Sequence, residues 1–282
     1  MSDLASLFAA HERRWRQFHY VYPVISRRAR GLSIGVNLSP GAVCNFGCVY
    51  CQVNRAIERP VHTVKPAVLE RELRFLVANH RNLFEEREFR HAAPEYRRLN
   101  DIAFSGDGEP TASPVFPEAA RIAAVARRDF APADAKIVLI TNACFLNHRP
   151  VADTLAFLDQ HNMEIWAKLD AGTEEYFRRV NRASCTLQHV LDNILAAARA
   201  RPLVIQSLFP RVHDERPPPD EIDAWVDRLR TILDSGGRIS LVQIYSVARR
   251  PAEPYVSPLT ADELEQISAA VRPLGLSVEC YS

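Results

Sequence analysis

No sign of charge dominates this sequence: 35 lysines and arginines against 34 aspartates and glutamates leave a formal net charge of +1. That balance argues against the global basic field that gathers nucleic acid. No run approaches the ~20 consecutive apolar residues that a membrane-spanning helix requires. The first residues are interrupted by charged and polar side chains from His11 to Arg16, so they do not read as a secretory leader. Internal repeats and low-complexity tracts are missing. Cysteine is scarce, six in 282 residues, and a chain this long with so few is not a disulfide scaffold. The expected setting is the cytoplasm, where thiols stay reduced. What is there is a chain 47% hydrophobic, enough for one large α/β domain spanning residues 1–282.

From Leu32 onward, short apolar runs alternate with longer helical patterns, the signature of parallel strands joined by crossover helices. Strands are expected at Leu32 to Leu38, Asp101 to Ser105, Lys136 to Thr141, Glu164 to Asp170, Leu203 to Leu208 and Arg238 to Tyr245. Helices are expected over Ala67 to His80, Pro117 to Arg128, Val151 to Gln160, Leu187 to Arg201 and Pro219 to Leu233. Leu69, Leu73, Leu76 and Val77 share one helical face, as do Val190, Leu191, Ile194 and Leu195. Six such units predict a partial (β/α)6 barrel of parallel strands, core about 30–246, with its site at the strands' C-terminal ends. A helical N-terminal segment (1–29, with Leu4 to Phe18 as helix) and a C-terminal extension (247–282) flank it. In the extension, Thr260 and Glu263 are spaced as a capping box, and Leu276 to Cys280 reads as a last strand. The Glu- and Arg-rich stretch from Asn82 to Leu99 reads as a solvated insertion.

The feature that carries chemistry is Cys44-Asn-Phe-Gly-Cys48-Val-Tyr-Cys51, just after the first predicted strand. Three thiolates this close suit a cube-shaped iron–sulfur cluster, holding three of its irons and leaving the fourth open. A zinc knuckle would need a fourth ligand, for which His62 is the nearest candidate. A thioredoxin-like pair leaves the third cysteine without a role. Cys144, Cys185 and Cys280 are scattered and read as inert core residues.

The loop resembles the CxxxCxxC motif of the radical S-adenosylmethionine (SAM) superfamily, with Tyr50 before the third cysteine. The resemblance implies a [4Fe–4S] cluster on Cys44, Cys48 and Cys51, and a SAM molecule chelating the open iron by its methionine amino and carboxylate groups. It implies Tyr50 near the adenine, and an electron from the reduced cluster that cleaves SAM to a 5′-deoxyadenosyl radical, which takes hydrogen from substrate. Ser105-Gly-Asp-Gly-Glu-Pro-Thr111 resembles the superfamily's Gly-Gly-Glu-Pro element through Gly108, Glu109 and Pro110, with Asp107 in place of the first glycine. Those three residues are implied to orient the SAM amino group. Asn142, ending the third strand, is a candidate for the ribose, and otherwise a turn former. Lys168 and Asp170, two apart in the fourth strand, project to one side of the sheet. They either pair with each other or, as the resemblance favours, meet the cofactor. The alternation of Ser33, Gly35 and Asn37 with Ile34, Val36 and Leu38 reads as a cavity-lining strand, extended by Gln206, Gln243 and Tyr245. Among the histidines, His213 is the one expected to face the site.

Further segments, Tyr22-Pro-Val-Ile-Ser-Arg-Arg28 leading into Leu32-Ser-Ile-Gly-Val36 and the cysteine loop ending Cys51-Gln52, then Leu169-Asp-Ala-Gly172, Val180-Asn-Arg182 and Val247-Ala-Arg-Arg-Pro-Ala-Glu253, resemble the wyosine-synthetase-related iron–sulfur oxidoreductases. True wyosine enzymes modify tRNA and carry a second cluster on upstream cysteines, whereas no cysteine precedes Cys44. The expected partners are a small electron donor of flavodoxin or ferredoxin type and an unidentified substrate. Arg27, Arg28, Arg249 and Arg250 suit an anionic one if they line the mouth, and are otherwise solvated. The competing readings are a tRNA-modifying enzyme and a non-catalytic iron–sulfur or SAM-sensing module.

Overall fold

The computed structural model describes residues 15–55 and 61–281. Its strands are β1 (Val21–Ser26), β2 (Gly31–Val36), β3 (Leu99–Phe104), β4 (Lys136–Thr141), β5 (Met163–Lys168), β6 (Leu203–Leu208), β7 (Pro210–Val212), β8 (Ile239–Tyr245), β9 (Val256–Pro258) and β10 (Val278–Tyr281). Its helices are α1 (Pro66–Ala78), α2 (Phe116–Phe130), α3 (Arg149–Leu158), α4 (Glu174–Asn181), α5 (Leu187–Ala200), α6 (Pro219–Asp234) and α7 (Ala261–Val271). Eight strands form one mostly parallel sheet in the order β1-β2-β3-β4-β5-β6-β8-β10, and β7 pairs with β9 in a separate ribbon. Backbone contacts divide the chain into two compact units: Met1–Cys44, Glu58–Ile140 and Arg149–Glu164; and Asn45–Ile57, Thr141–His148 and Ile165–Ser282.

In the first unit β2, β3 and β4 run parallel, while β1 pairs antiparallel with β2, Pro23 opposite Ile34. Proline is tolerated because β1 pairs on one side only. This strand is absent from the sequence-based expectation, as is the use it makes of β2. A Cβ on Gly35 would lie 2.3 Å from the Tyr22 ring, so glycine there makes room for the aromatic that covers it. Ser33 donates to Asp101. The small, polar face of β2 is thus occupied at these two positions rather than lining a cavity. The face of α1 that turns inward is Leu69, Leu73, Leu76 and Val77, as its periodicity predicts. The stretch after α1 is more than a solvated loop: two short 3₁₀ turns, Asn82–Glu85 and Pro94–Tyr96, carry it, and Leu83, Phe84, Phe89 and Ala92 are buried.

In the second unit β5, β6, β8 and β10 run parallel. Helix α5 buries Val190, Leu191 and Ile194, with Asn193 and Ala197 rather than Leu195 completing the face. Helix α4 is a further addition to the expected elements; it is eight residues long and capped by Thr173, whose side chain accepts from Tyr176 N. The capping box of α7 forms as its spacing predicts, Thr260 Oγ1 accepting from Glu263 N and Glu263 accepting from Thr260 N. The expected helix Leu4 to Phe18 falls mostly outside the described residues, and none of residues 15–18 is helical, Arg16 and Gln17 forming a turn.

Candidate functional site

In the second unit the chemistry gathers around Asp170, two residues past the end of β5. Its carboxylate is 2% exposed. Oδ1 accepts from Lys168 Nζ at 3.1 Å and from Leu208 N, at the end of β6, at 2.8 Å. Oδ2 accepts from Asn181 Nδ2 at 3.0 Å and from the Tyr50 hydroxyl. Four donors satisfy a charge that would otherwise be too costly to bury. Lys168 also donates to Tyr245 OH at 2.9 Å, at the end of β8. The C-terminal ends of three neighbouring parallel strands therefore meet at one polar cluster, where open α/β sheets bind ligands. Lys168 and Asp170 pair as their i, i+2 spacing allows. Burial works to lower the Lys168 pKa, but Asp170 and Tyr245 outweigh it and hold the ammonium above its ordinary value.

The cysteine loop is held by its backbone. Gly47 N donates to Arg182 O at 3.2 Å, Val49 N to Val180 O at 2.9 Å, and Ser184 N to Asn45 O at 3.3 Å, while Phe46 and Ala183 form an isolated bridge. On its other side Ala252 N donates to Cys51 O at 2.7 Å and Glu253 N to Val49 O at 3.3 Å. Two of the segments that suggested the wyosine-related branch, those around Val180 and Val247, thus serve as the loop's backbone anchors. Asn181 adds a side chain: besides Asp170, it donates to Tyr50 OH at 2.8 Å and its Nδ2 lies 3.8 Å from Cys48 Sγ. Burial first, then the Asp170 charge, pushes the Cys48 thiol up to about 12. On its own that thiol stays protonated at neutral pH, and a metal's charge would displace the proton. Burial and Asp170 likewise raise the Tyr50 phenol above its ordinary value. Arg55 Nη2 lies 3.8 Å from Cys51 Sγ.

In the first unit Asn37, just past β2, holds the turn after β3. Its Nδ2 donates to Asp107 Oδ2 at 2.8 Å, and its Oδ1 accepts from Asp107 N at 3.2 Å and Ser39 N at 3.0 Å. This reciprocal pair gives Asp107 its contact. A Cβ on Gly108 would lie 2.0 Å from Val43 O, so only glycine lets these two backbones approach. Glu109, 3% exposed, accepts from Thr111 N at 3.1 Å and from Thr111 Oγ1. Pro110 opens a one-turn 3₁₀ helix.

Among the predicted site residues, Tyr50, Lys168 and Asp170 are brought together with Cys48. Gly108, Glu109 and Pro110 form one turn, and Asn142 is engaged separately, donating to Asn45 Oδ1 at 2.8 Å and accepting from Cys144 N at 3.1 Å. Gln206 donates to Gln243 at 2.6 Å, a buried pair. His213 is turned to the surface and stacks on Tyr255, ring centroids 4.3 Å apart, instead of facing the site. Asn181 went unidentified as a site residue: one asparagine at the end of a short helix carries no spacing signal.

By residue type and spacing, Cys44, Cys48 and Cys51 suit an iron–sulfur cluster. Among the described residues no three of His, Cys, Asp and Glu converge as ligands of a single ion, but a cluster spreads its thiolates over separate irons. Asn181, whose Nδ2 lies 3.8 Å from Cys48 Sγ, has its Oδ1 buried without a hydrogen-bond partner among the described residues.

Sheet, strand-end cluster and cysteine loop define an α/β protein with a polar cluster at the carboxyl ends of parallel strands, beside a loop that carries Cys48 and Cys51. The chain belongs to the radical SAM superfamily, whose model matches residues 38–217. It is 30% identical over 173 residues to UPF0026 protein MJ1312 of Methanocaldococcus jannaschii, 61% of this chain and 46% of that one. It spans less than half the length of that curated relative. Among solved structures, Streptococcus suis SuiB bound to S-adenosylmethionine superposes with a TM-score of 0.62 at 12% identity, covering 91% of this chain and 52% of that one. A radical SAM methyltransferase from Sphaerobacter thermophilus superposes with a TM-score of 0.61 at 14% identity, covering 93% and 68%. These likenesses establish the fold as the α/β radical SAM core. Among the described residues, no helix is long and apolar enough to cross a membrane.

Proposed function

We propose that this protein binds a [4Fe–4S] cluster through Cys44, Cys48 and Cys51 and reductively cleaves SAM there, using the 5′-deoxyadenosyl radical to abstract hydrogen from a substrate. The reading is supported above all by three cysteines within eight residues, in a chain of the radical SAM superfamily, with Cys48 beside the Asp170 cluster. The cluster would supply the electron, and the chain's own residues aim it. Gly108, Glu109 and Pro110 orient the methionine end of SAM, Tyr50 borders the adenine, Asn142 serves the ribose, Asp170 the ribose or amino group, and Lys168 the cofactor or the substrate. Asp170 also fixes Tyr50 and Asn181 against Cys48.

The electron would come from a small donor of flavodoxin or ferredoxin type. An anionic substrate suits Arg27, Arg28, Arg249 and Arg250. The segments around Tyr22, Leu169, Val180 and Val247 support a place near the wyosine-synthetase-related oxidoreductases, and the near-neutral charge speaks against extending that to tRNA.

The test is anaerobic reconstitution with iron and sulfide, reduction in the presence of SAM, and mass spectrometry of 5′-deoxyadenosine. Product is expected from the native sequence and none from Cys48→Ala with its fold intact by circular dichroism. Turnover by the reconstituted Cys48→Ala protein would sink the proposal. SAM binding without product from a fully loaded native cluster would favour the sensing module.

A further inference from the structure

Two cysteines outside the cluster loop lie together. Cys144 is in the turn after β4, buried, and Cys185 is in the connection between α4 and α5, partly exposed. They are 41 residues apart in sequence, yet their Sγ atoms are 3.2 Å apart. A disulfide needs about 2 Å between sulfurs, a little over 1 Å of closure.

The backbone around them is fixed by α5. Asn193 Nδ2 donates to Ala143 O at 2.9 Å and to Cys144 O at 3.0 Å, and His189 Nε2 lies 2.8 Å from the same Cys144 oxygen. At the other cysteine Thr186 caps the same helix, accepting from His189 N at 3.2 Å. One helix thus positions both thiols. Their two segments also reach one residue of the cysteine loop: Asn142 donates to Asn45 Oδ1 and Ser184 N to Asn45 O.

We propose that Cys144 and Cys185 form a reversible dithiol–disulfide couple whose oxidant is a low-molecular-weight disulfide of the glutathione type. The more exposed Cys185 thiolate attacks the oxidant, forming a mixed disulfide and releasing one thiol. The Cys144 thiolate then attacks the Cys185 sulfur, forming the internal bond and releasing the second thiol. The protein dithiol loses two electrons and two protons, and one small disulfide becomes two thiols. Closed, the bond would tie together the two segments that hold Asn45 next to Cys44. The couple stands independently of any catalytic role.

The reconstituted holoprotein is treated anaerobically with oxidised glutathione, quenched with a maleimide and mapped as unreduced peptides. The expected result is one linked pair joining the peptides of Cys144 and Cys185, approaching one per chain and reopened by dithiothreitol. Cys144→Ser is expected to stop at a glutathione adduct on Cys185, and Cys185→Ser to form no link. A native protein that stops at the Cys185 adduct, links to a cluster cysteine, or leaves both thiols alkylated would overturn the proposal. Because the native sequence decides, misfolding of either variant leaves the answer intact.

Discussion

Asp101 is the buried carboxylate with the clearest consequence for stability. It sits in β3, 3% exposed, accepting from Ser33. Burial raises its pKa from 3.8 to about 7, with Ser33 opposing, Glu164 adding to the shift, and Lys136 and Arg28 opposing. The folded chain therefore holds this proton where the unfolded chain has released it. Its contribution to stability is largest below the unfolded pKa of 3.8 and is lost as pH rises to about 7, above which it is flat. The shift corresponds to about 4 kcal/mol. Asp101→Asn keeps the site neutral at every pH, so the fall in urea midpoint between about pH 5 and about pH 8 is expected to shrink in the variant. An unchanged slope would mean that another group carries it. Residue-scale features were unevenly legible. The three cysteines, Gly108 and the Lys168–Asp170 pair declare themselves by spacing, whereas Asn37 and Asn181 act on partners 70 and 11 residues away. No local pattern marks an asparagine for such a contact.

At the scale of elements, local rules worked where local forces decide. β4 and β6 begin and end where their β-branched runs predict. The α7 cap follows from two residues, and Thr260→Ala is expected to cost about 1 kcal/mol in a chemical-denaturation midpoint; Thr260→Asp, which can still accept from Glu263 N, is expected to retain most of it. Elements defined by distant partners were missed. β1 holds a proline and becomes a strand because β2 offers it Gly35, and β7 and β9 are three residues each, with a proline in both. The Asn82–Leu99 stretch reads as solvated by its charges, yet its apolar residues are the ones that turn inward. Helix α4 is short and highly charged, and its role shows only through distant partners: Val49 N of the cysteine loop bonds to Val180 O, and the Asn181 side chain reaches Tyr50, Asp170 and Cys48.

For the whole molecule, the superfamily and α/β class were readable because cofactor chemistry restricts residue types and spacing, and parallel sheets restrict the order of elements. Under the proposed activity substrate is different in kind: it would be chosen by side chains drawn from many strand ends, each free to vary. The net charge of +1 still bears on one macromolecule. Binding to tRNA is expected to be no tighter than to an unrelated polyanion of equal charge, and to vanish alike with added salt. Filter binding of both at two salt concentrations checks this, and selective, salt-resistant capture of tRNA would bring the wyosine-type reaction forward.

Helix α6 reaches back to the segment that follows β5. Glu221 accepts from Gly172 N and Thr173 Oγ1, Trp225 Nε1 donates to Leu169 O at 3.0 Å, and Arg228 Nε donates to Gly172 O at 2.8 Å. A Cβ on Gly172 would lie 2.1 Å from Trp225 N, so the two backbones touch. These three side chains lie at i, i+4 and i+7, and Asp170 lies between the residues they grip. The helix therefore acts as a gauge, fixing how far the chain travels beyond β5 before it turns. One inserted residue between Glu221 and Arg228 would swing that row by about 100°. Insertions within this stretch of α6 should therefore be purged in this lineage.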